Sequence, residues 1–271
     1  GSLLPDVPAV ACFDTAFHAT IPAPASTYAL PAHWRRRWPL RRYGFHGLSH
    51  SYASRRAAEM ASGTGRAGAR RSGSGLRVVT CHLGAGASLA AVLDGICVDT
   101  TMGFTPLEGL VMATRSGTVD PGLVLWLADR GGMQVSEIAE GLESNGGLLG
   151  LAGTSDMREV LSREAAGDQD ARLALATYMH RLRGMVAAMV AALGGLDVLV
   201  YTGGIGERSA VVRARSAADL GFLGVNVDVE RNAAARPDAD IASEASPVRV
   251  FVIAAREDLE IARGVRGALA L

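Results

Sequence analysis

The sequence predicts an α/β fold built on a mixed sheet, and three observations carry that prediction. Short apolar runs such as "LRVVTCHLG", "LDVLVYTGG" and "VRVFVIAAR" alternate with stretches whose apolar residues recur at three and four. "SLAAVLDGICVDTTM" breaks at Asp94-Gly95, a dipeptide suited to joining antiparallel strands, so the sheet is not purely parallel. The glycine loop at 84–88 leads from a strand into another strand, where a dinucleotide-binding fold would place a helix.

The elements follow in order. Residues 7–14 read as a short buried strand ending in Asp14. A loop rich in Pro and Ala comes next and includes "HWRRRWPLRR" at 33–42. Residues 47–61 carry Ser, Ala, Arg and Glu at helical spacing, with the helix opening near Gly47. "SGTGRAGARRSGSG" at 62–75 is polar and turn-forming, which predicts a surface insertion. After the hairpin, 119–130 and 134–143 have helical patterns, and Asp156 is placed to cap a helix reaching about residue 165. The Ala/Leu/Met-rich run at 168–193 predicts a long buried helix. "LDVLVYTGGIGERSA" predicts a strand, a glycine turn at 203–206 and a helix start, and the chain closes with a strand and a terminal helix. There is no internal repeat of 20 to 50 residues.

A chain of 271 residues has room for one large domain or a domain and a half. Apolar residues at 49% supply a core, and aromatics at 5% leave its construction to Ala, Val and Leu. The 27 basic and 27 acidic residues cancel, so no global field draws the chain to nucleic acid or a membrane. Every basic residue is an arginine, which excludes Schiff-base chemistry and a P-loop lysine. Cys12, Cys81 and Cys97 form no C-x-x-C pair and lie in apolar, strand-like stretches, as expected of reduced core thiols in a cytoplasmic protein. No run of about 18 apolar residues predicts a membrane span. The opening "GSLLPDVPAVACFD" lacks Met and enters a strand-like stretch almost at once, which suggests further sequence upstream.

Two glycine turns, at 84–88 and 203–206, each follow an apolar strand, and ligands in α/β sheets collect at such carboxyl ends. Either turn taken singly is more often only a turn. "RRYGFHGLSH" sets His46 and His50 four apart, a spacing open to a metal pair. No third ligand is evident, so a satisfied structural histidine is the plainer reading. Arg115 in "ATRSGTVDP" fits a loop brace or a phosphate ligand. The arginines and tryptophans at 34–42 fit a solvated face better than a base-stacking surface.

Nine segments together resemble the acetate kinase family. They are "FDTAFH", "YALP", "RRYGFHGLSH", "HLGAGAS", "DTTMGFTPLEGLVMATRSGTVDP", "GLLGLAGTSDMRE", "YTGGIGERS", "LGFLGV" and "REDLEIAR", in the family's order from about residue 10 to the end. The resemblance implies a ribonuclease-H-like, actin-like ATPase domain, the second of two domains that enclose ATP. Residues 1–256 would form this nucleotide-binding domain, and 257–271 a terminal helix packing on the first domain. It implies Mg²⁺- or Mn²⁺-dependent phosphoryl transfer between ATP and acetate, giving acetyl phosphate and ADP.

In that reading Arg115 and His46 bind the transferring phosphoryl group, and these two with the metal stand in for the absent lysine. Asp14 matches an aspartate that orients Arg115 or the metal's water shell, and Glu257 matches a metal-linked glutamate. The backbone of His82, Leu83, Gly84, Ala85 and Gly86 would run along the ATP phosphates. Asp156, Met157 and Arg158, with Gly203, Gly204, Ile205, Gly206 and Glu207, would flank adenine and ribose. Phe45 and Pro106 would form part of the pocket for the acetate methyl. A homodimer and a cytoplasmic location are implied as well.

Three departures qualify the match. The family's opening domain has no counterpart, Ala85 stands where the family has asparagine, and Ala255-Arg256 replaces Thr-Asn. They lead to an expectation of weak nucleotide binding and little turnover by the chain alone. The alternatives are a propionate or butyrate kinase, or a non-catalytic nucleotide-binding or dimerisation module.

Overall fold

A computed structural model describes residues 7–63 and 75–270 of the chain. Residues 64–74, most of the expected surface insertion, lie outside the described residues.

Helices α1 (Ala23–Ser26), α2 (Ala32–Arg37) and α3 (Gly47–Gly63) precede the hairpin of β1 (Arg77–Leu83), β2 (Ala87–Leu93) and β3 (Ile96–Thr100). Then come α4 (Pro121–Asp129), α5 (Val135–Glu143), α6 (Gly147–Ala152), α7 (Met157–Ala165) and α8 (Gln169–Leu193). The last part holds β4 (Val198–Thr202), α9 (Gly203–Arg208), α10 (Ala210–Ala218), α11 (Val229–Ala234), β5 (Ala239–Asp240), β6 (Arg249–Val252) and α12 (Glu257–Ala268).

Six strands form one sheet in the order β3-β2-β1-β4-β6-β5. β1 pairs antiparallel with β2 and parallel with β4, and β4 pairs parallel with β6, giving the mixed sheet expected. Asp94 and Gly95 both take positive φ, which lets this two-residue turn match the twist of β2 and β3. The period-2 alternation of each strand divides the core into two layers. Val79, Cys81 and Leu83 of β1 join α8 on one face, where Leu175, Tyr178, Leu182 and Val186 are buried. Val78 of β1 and Ala90 and Val92 of β2 meet Tyr52, Ala53 and Ala57 of α3 on the other.

Asp156 and Asp168 cap α7 and α8 by accepting backbone N–H groups of the first turn, as the residue types predict. Helix α12 lies on α3, where Glu260 accepts from Ser51 at 2.8 Å and pairs with Arg55 at 2.9 Å.

Four expectations need correction. Residues 7–13 form no strand: the sheet has no position for them, and Phe13 is 69% exposed. Cys12 is accordingly a half-buried thiol on irregular backbone, while Cys81 and Cys97 are buried as expected. The supposed loop at 33–42 begins with a helical turn, α2, entered through Pro31. The glycines at 203–206 are the first turn of α9 rather than a separate turn. Gly203 takes φ +76° and packs so closely on the Leu83 backbone that a Cβ would overlap it.

Candidate active site

The site lies where α3 begins over the carboxyl end of β1. Asp14, on irregular backbone rather than at a strand end, organises that start. Its carboxylate accepts the His46 N–H at 2.6 Å and the Leu48 N–H at 3.2 Å, and its carbonyl accepts the Gly47 N–H at 2.9 Å. Three of the orphan donors that open any helix are thereby satisfied by one residue. His46 itself sits at φ +56°, a left-handed conformation that costs energy outside glycine and here turns its ring toward the sheet.

Below it, helical spacing puts Ser49, His50 and Ala53 on the sheet-facing side of α3, and strand alternation puts Thr80, His82 and Ser88 on the matching face. His46 Nδ1 lies 2.9 Å from Ser88 Oγ, and His50 Nε2 lies 2.8 Å from the same oxygen. His50 Nδ1 is 2.7 Å from Thr80 Oγ1, and His82 Nδ1 is 2.8 Å from Ser49 Oγ. The rings of His46 and His82 stack with centroids 4.3 Å apart. His50 is fully buried, and burial drives its imidazole well below the ordinary 6.5. Burial likewise lowers His46, against the Asp14 charge and with that of Arg115, and pushes His82 down to about 3. All three rings are neutral at pH 7. Both ring nitrogens of His50 are engaged, by Thr80 and Ser88, as in a satisfied structural histidine.

The turn between β1 and β2 closes with Gly84 N–H donating to the Gly86 carbonyl at 2.9 Å. Ala113 N–H donates to the Ala85 carbonyl at 3.1 Å, and Met112 N–H to the Arg115 carbonyl at 3.1 Å, which brings Arg115 over the turn. The guanidinium donates to the Pro106 carbonyl at 2.7 Å. A Cβ on Gly86 would lie 3.0 Å from His46 Nε2 and 3.3 Å from an Arg115 terminal nitrogen. The two side chains therefore converge on bare backbone, the arrangement that receives an anion. Ala85 is exposed at the tip, and a Cβ on Gly84 would come within 4.0 Å of the Gly204 backbone nitrogen, so the α9 glycines border the same turn.

Glu257 opens α12. Burial, and after it the Asp14 charge, raise its carboxyl above the ordinary range. Phe45 is half-buried, and its carbonyl is 3.0 Å from His18 Nε2. Glu207 accepts the Ala255 N–H at 2.9 Å. The α9 carbonyls of Gly206 and Glu207 are held by the buried Arg213, which also binds Asn232. Asp156 and Arg158 bond to each other and to their own turn, with Arg158 holding the Asp156 carboxyl down at about 2, while Met157 is in the core.

Sequence reasoning missed Ser88, Thr80, Ser49 and Arg213. The period of two in 77–93 and the helical period from His46 give the faces on which the first three lie, but not the register that brings them together. Arg213 gave no local signal, because its acceptors come from separate elements.

The model of the acetokinase family matches residues 1–263. Acetate kinases of Microcystis aeruginosa and a Synechococcus strain are 48% and 49% identical over 262 and 268 residues, which cover 96% and 98% of this chain. The chain spans 63% and 64% of their length. The crystal structure of the Porphyromonas gingivalis acetate kinase superposes with a TM-score of 0.91 at 39% identity, covering 99% of this chain and 66% of that one. A propionate kinase from Francisella tularensis gives 0.88 at 40% identity, covering 97% and 65%.

Proposed function

The chain belongs to the acetokinase family, and from that membership we propose that it supplies the nucleotide-binding part of an acetate kinase. The reaction is reversible phosphoryl transfer between ATP and acetate. A carboxylate oxygen attacks the γ-phosphorus in line, and the bond to the bridging oxygen breaks with its electron pair leaving on ADP. The observation that carries this reading is the convergence of His46 Nε2 and an Arg115 nitrogen on Gly86, at 3.0 and 3.3 Å from the place a Cβ would occupy. A guanidinium spans two equatorial oxygens of the moving group, and a neutral imidazole with its proton on Nε2 donates to a third. No proton has to be removed from a carboxylate, so the site needs donors and no general base.

Residues 1–256 are read as the nucleotide-binding domain and 257–271 as the connection to the remainder of the enzyme. The backbone of residues 82–86 would follow the phosphates, 156–158 and 203–207 would flank the nucleoside, and Phe45 and Pro106 would border the acyl group. Glu257 and Asp14 fit a divalent cation: both are acids, and the charge of Asp14 adds to burial in raising the Glu257 carboxyl. Mg²⁺ or Mn²⁺, if held there through few protein ligands, would supply charge neutralisation at the phosphates. On α4, Leu125 and Trp126 are 71% and 56% exposed and no residue is buried, which suits covering by a second copy in a homodimer. No described helix is long and apolar enough to cross a membrane, and a cytoplasmic location accords with the free thiols.

Hydroxylamine trapping of acyl phosphate tests the proposal. The assay compares the 271-residue chain alone with the chain supplemented by the unmatched third of an acetate kinase relative. Hydroxamate formation dependent on ATP and acetate is expected in at least the second. A folded, nucleotide-binding preparation that forms none in either supports a binding module instead. The similarity to a propionate kinase favours a second substrate reading, which propionate in place of acetate addresses. One methylene changes the preference by only ~1–3 kcal/mol.

A further inference from the structure

The hydrogen bonds of the histidine layer form a continuous chain from the site into the sheet: His46 Nδ1, Ser88 Oγ, His50 Nε2, His50 Nδ1, Thr80 Oγ1. We propose that Ser88, His50 and Thr80 are positioning residues that fix the proton of His46 on Nε2, the nitrogen facing Gly86 and Arg115. The proposal rests on the phosphoryl-transfer reading only for what His46 donates to.

The argument is proton accounting. A neutral imidazole has one N–H and one lone pair, and each hydroxyl has one proton. Ser88 lies between two ring nitrogens and can donate to only one of them; were its oxygen to accept from both, its own proton, fully buried, would be left with neither ring as acceptor, so the links run in the same direction. In one direction Thr80 donates to His50 Nδ1, His50 Nε2–H donates to Ser88, and Ser88 donates to His46 Nδ1. His46 then carries its proton on Nε2, toward the cleft. In the reverse direction His46 loses that donor, and the Thr80 proton is left with the Ala90 carbonyl at 3.5 Å as its acceptor.

Thr80 is buried, and a buried hydroxyl proton without a good partner is costly. The 2.7 Å link to His50 against the 3.5 Å contact to Ala90 sets the direction. His18 does not compete for the chain, because its two ring nitrogens face Phe45 and Cys97. Burial keeps His50, the ring in the middle of the chain, neutral.

The test is imidazole ¹⁵N NMR on the histidine-labelled chain at neutral pH, with the His46 signals assigned through His46→Gln. The unaltered protein should show His46 with an unprotonated Nδ1 and a protonated Nε2. Thr80→Val is close in shape, lies three hydrogen bonds from His46 and removes the donor that sets the direction. It should move both His46 nitrogens toward averaged positions. Ser88→Ala should disconnect the rings, so that Thr80→Val no longer moves His46 in that background.

A proton on Nδ1 of His46 in the unaltered chain overturns the proposal. So does a folded Thr80→Val protein whose His46 signals stay in place. None of these readouts requires turnover. A failed kinase assay with the expected spectra would remove the phosphoryl-transfer reading and leave the relay standing.

Discussion

The Asp14 carboxylate accepts the backbone N–H of His46 at 2.6 Å and that of Leu48 at 3.2 Å. One acid thus caps α3 and holds the left-handed residue from which the site's imidazole projects. Asp14→Ala should lower stability by ~1–2 kcal/mol, a cap's worth, measured from urea unfolding midpoints. It should also abolish acyl phosphate formation. Full activity in a destabilised variant would separate the cap from the chemistry.

Acid should unfold this protein through its histidines as well as its carboxylates. Burial lowers His82 from 6.5 to about 3, so between those values the unfolded chain binds a proton that the native chain refuses. Stability from this source is complete above about 6.5 and is lost as the pH falls toward 3. The urea midpoint should drop between pH 7 and pH 4.5, and His82→Gln should shrink that drop. An equal drop in the variant would assign the acid sensitivity elsewhere.

Glu257 has the opposite sign. Burial and Asp14 raise its carboxyl above the ordinary 4.5, so the native state binds more protons than the unfolded state and loses stability as the pH rises through that range. Glu257→Gln should therefore melt higher than the parent at pH 7 without added cation and match it at pH 4. Millimolar Mg²⁺ should raise the melting temperature of the parent and not that of the variant. Equal stabilisation of both would place the cation elsewhere.

Ala85 is exposed at the tip of the β1–β2 turn, so an asparagine side chain can enter without displacing anything. An amide there adds a donor beside a charged phosphate, a bond worth ~1.5–3 kcal/mol. Ala85→Asn should lower the KM for ATP about ten- to a hundredfold at unchanged stability, and an unmoved KM would show that the turn does not face the nucleotide.

The sheet was legible where local chemistry dictates geometry. Asp94-Gly95 marked the hairpin, Asp156 marked a helix start, and the apolar runs marked β1, β4 and β6. Residues 7–13 misled because apolar composition alone cannot supply a neighbouring strand to pair with. The pairing of His46 with Arg115 lies outside local pattern, since 69 residues separate them in the chain. It was legible only through motif resemblance. The shell beneath them, Ser88 and Thr80 against His50, depends on the register of α3 over two strands, which hydropathy does not encode.

A double-mutant cycle on His46 and Arg115, read as the rate of trapped acyl phosphate in a preparation that turns over, tests the central claim most directly. His46→Gln and Arg115→Ala should each lower the rate by ~10²–10³, and the double variant should lose far less than the product of the two, because both donors serve one phosphoryl group. Losses that multiply fully, or a single variant that retains the parent rate, would contradict it.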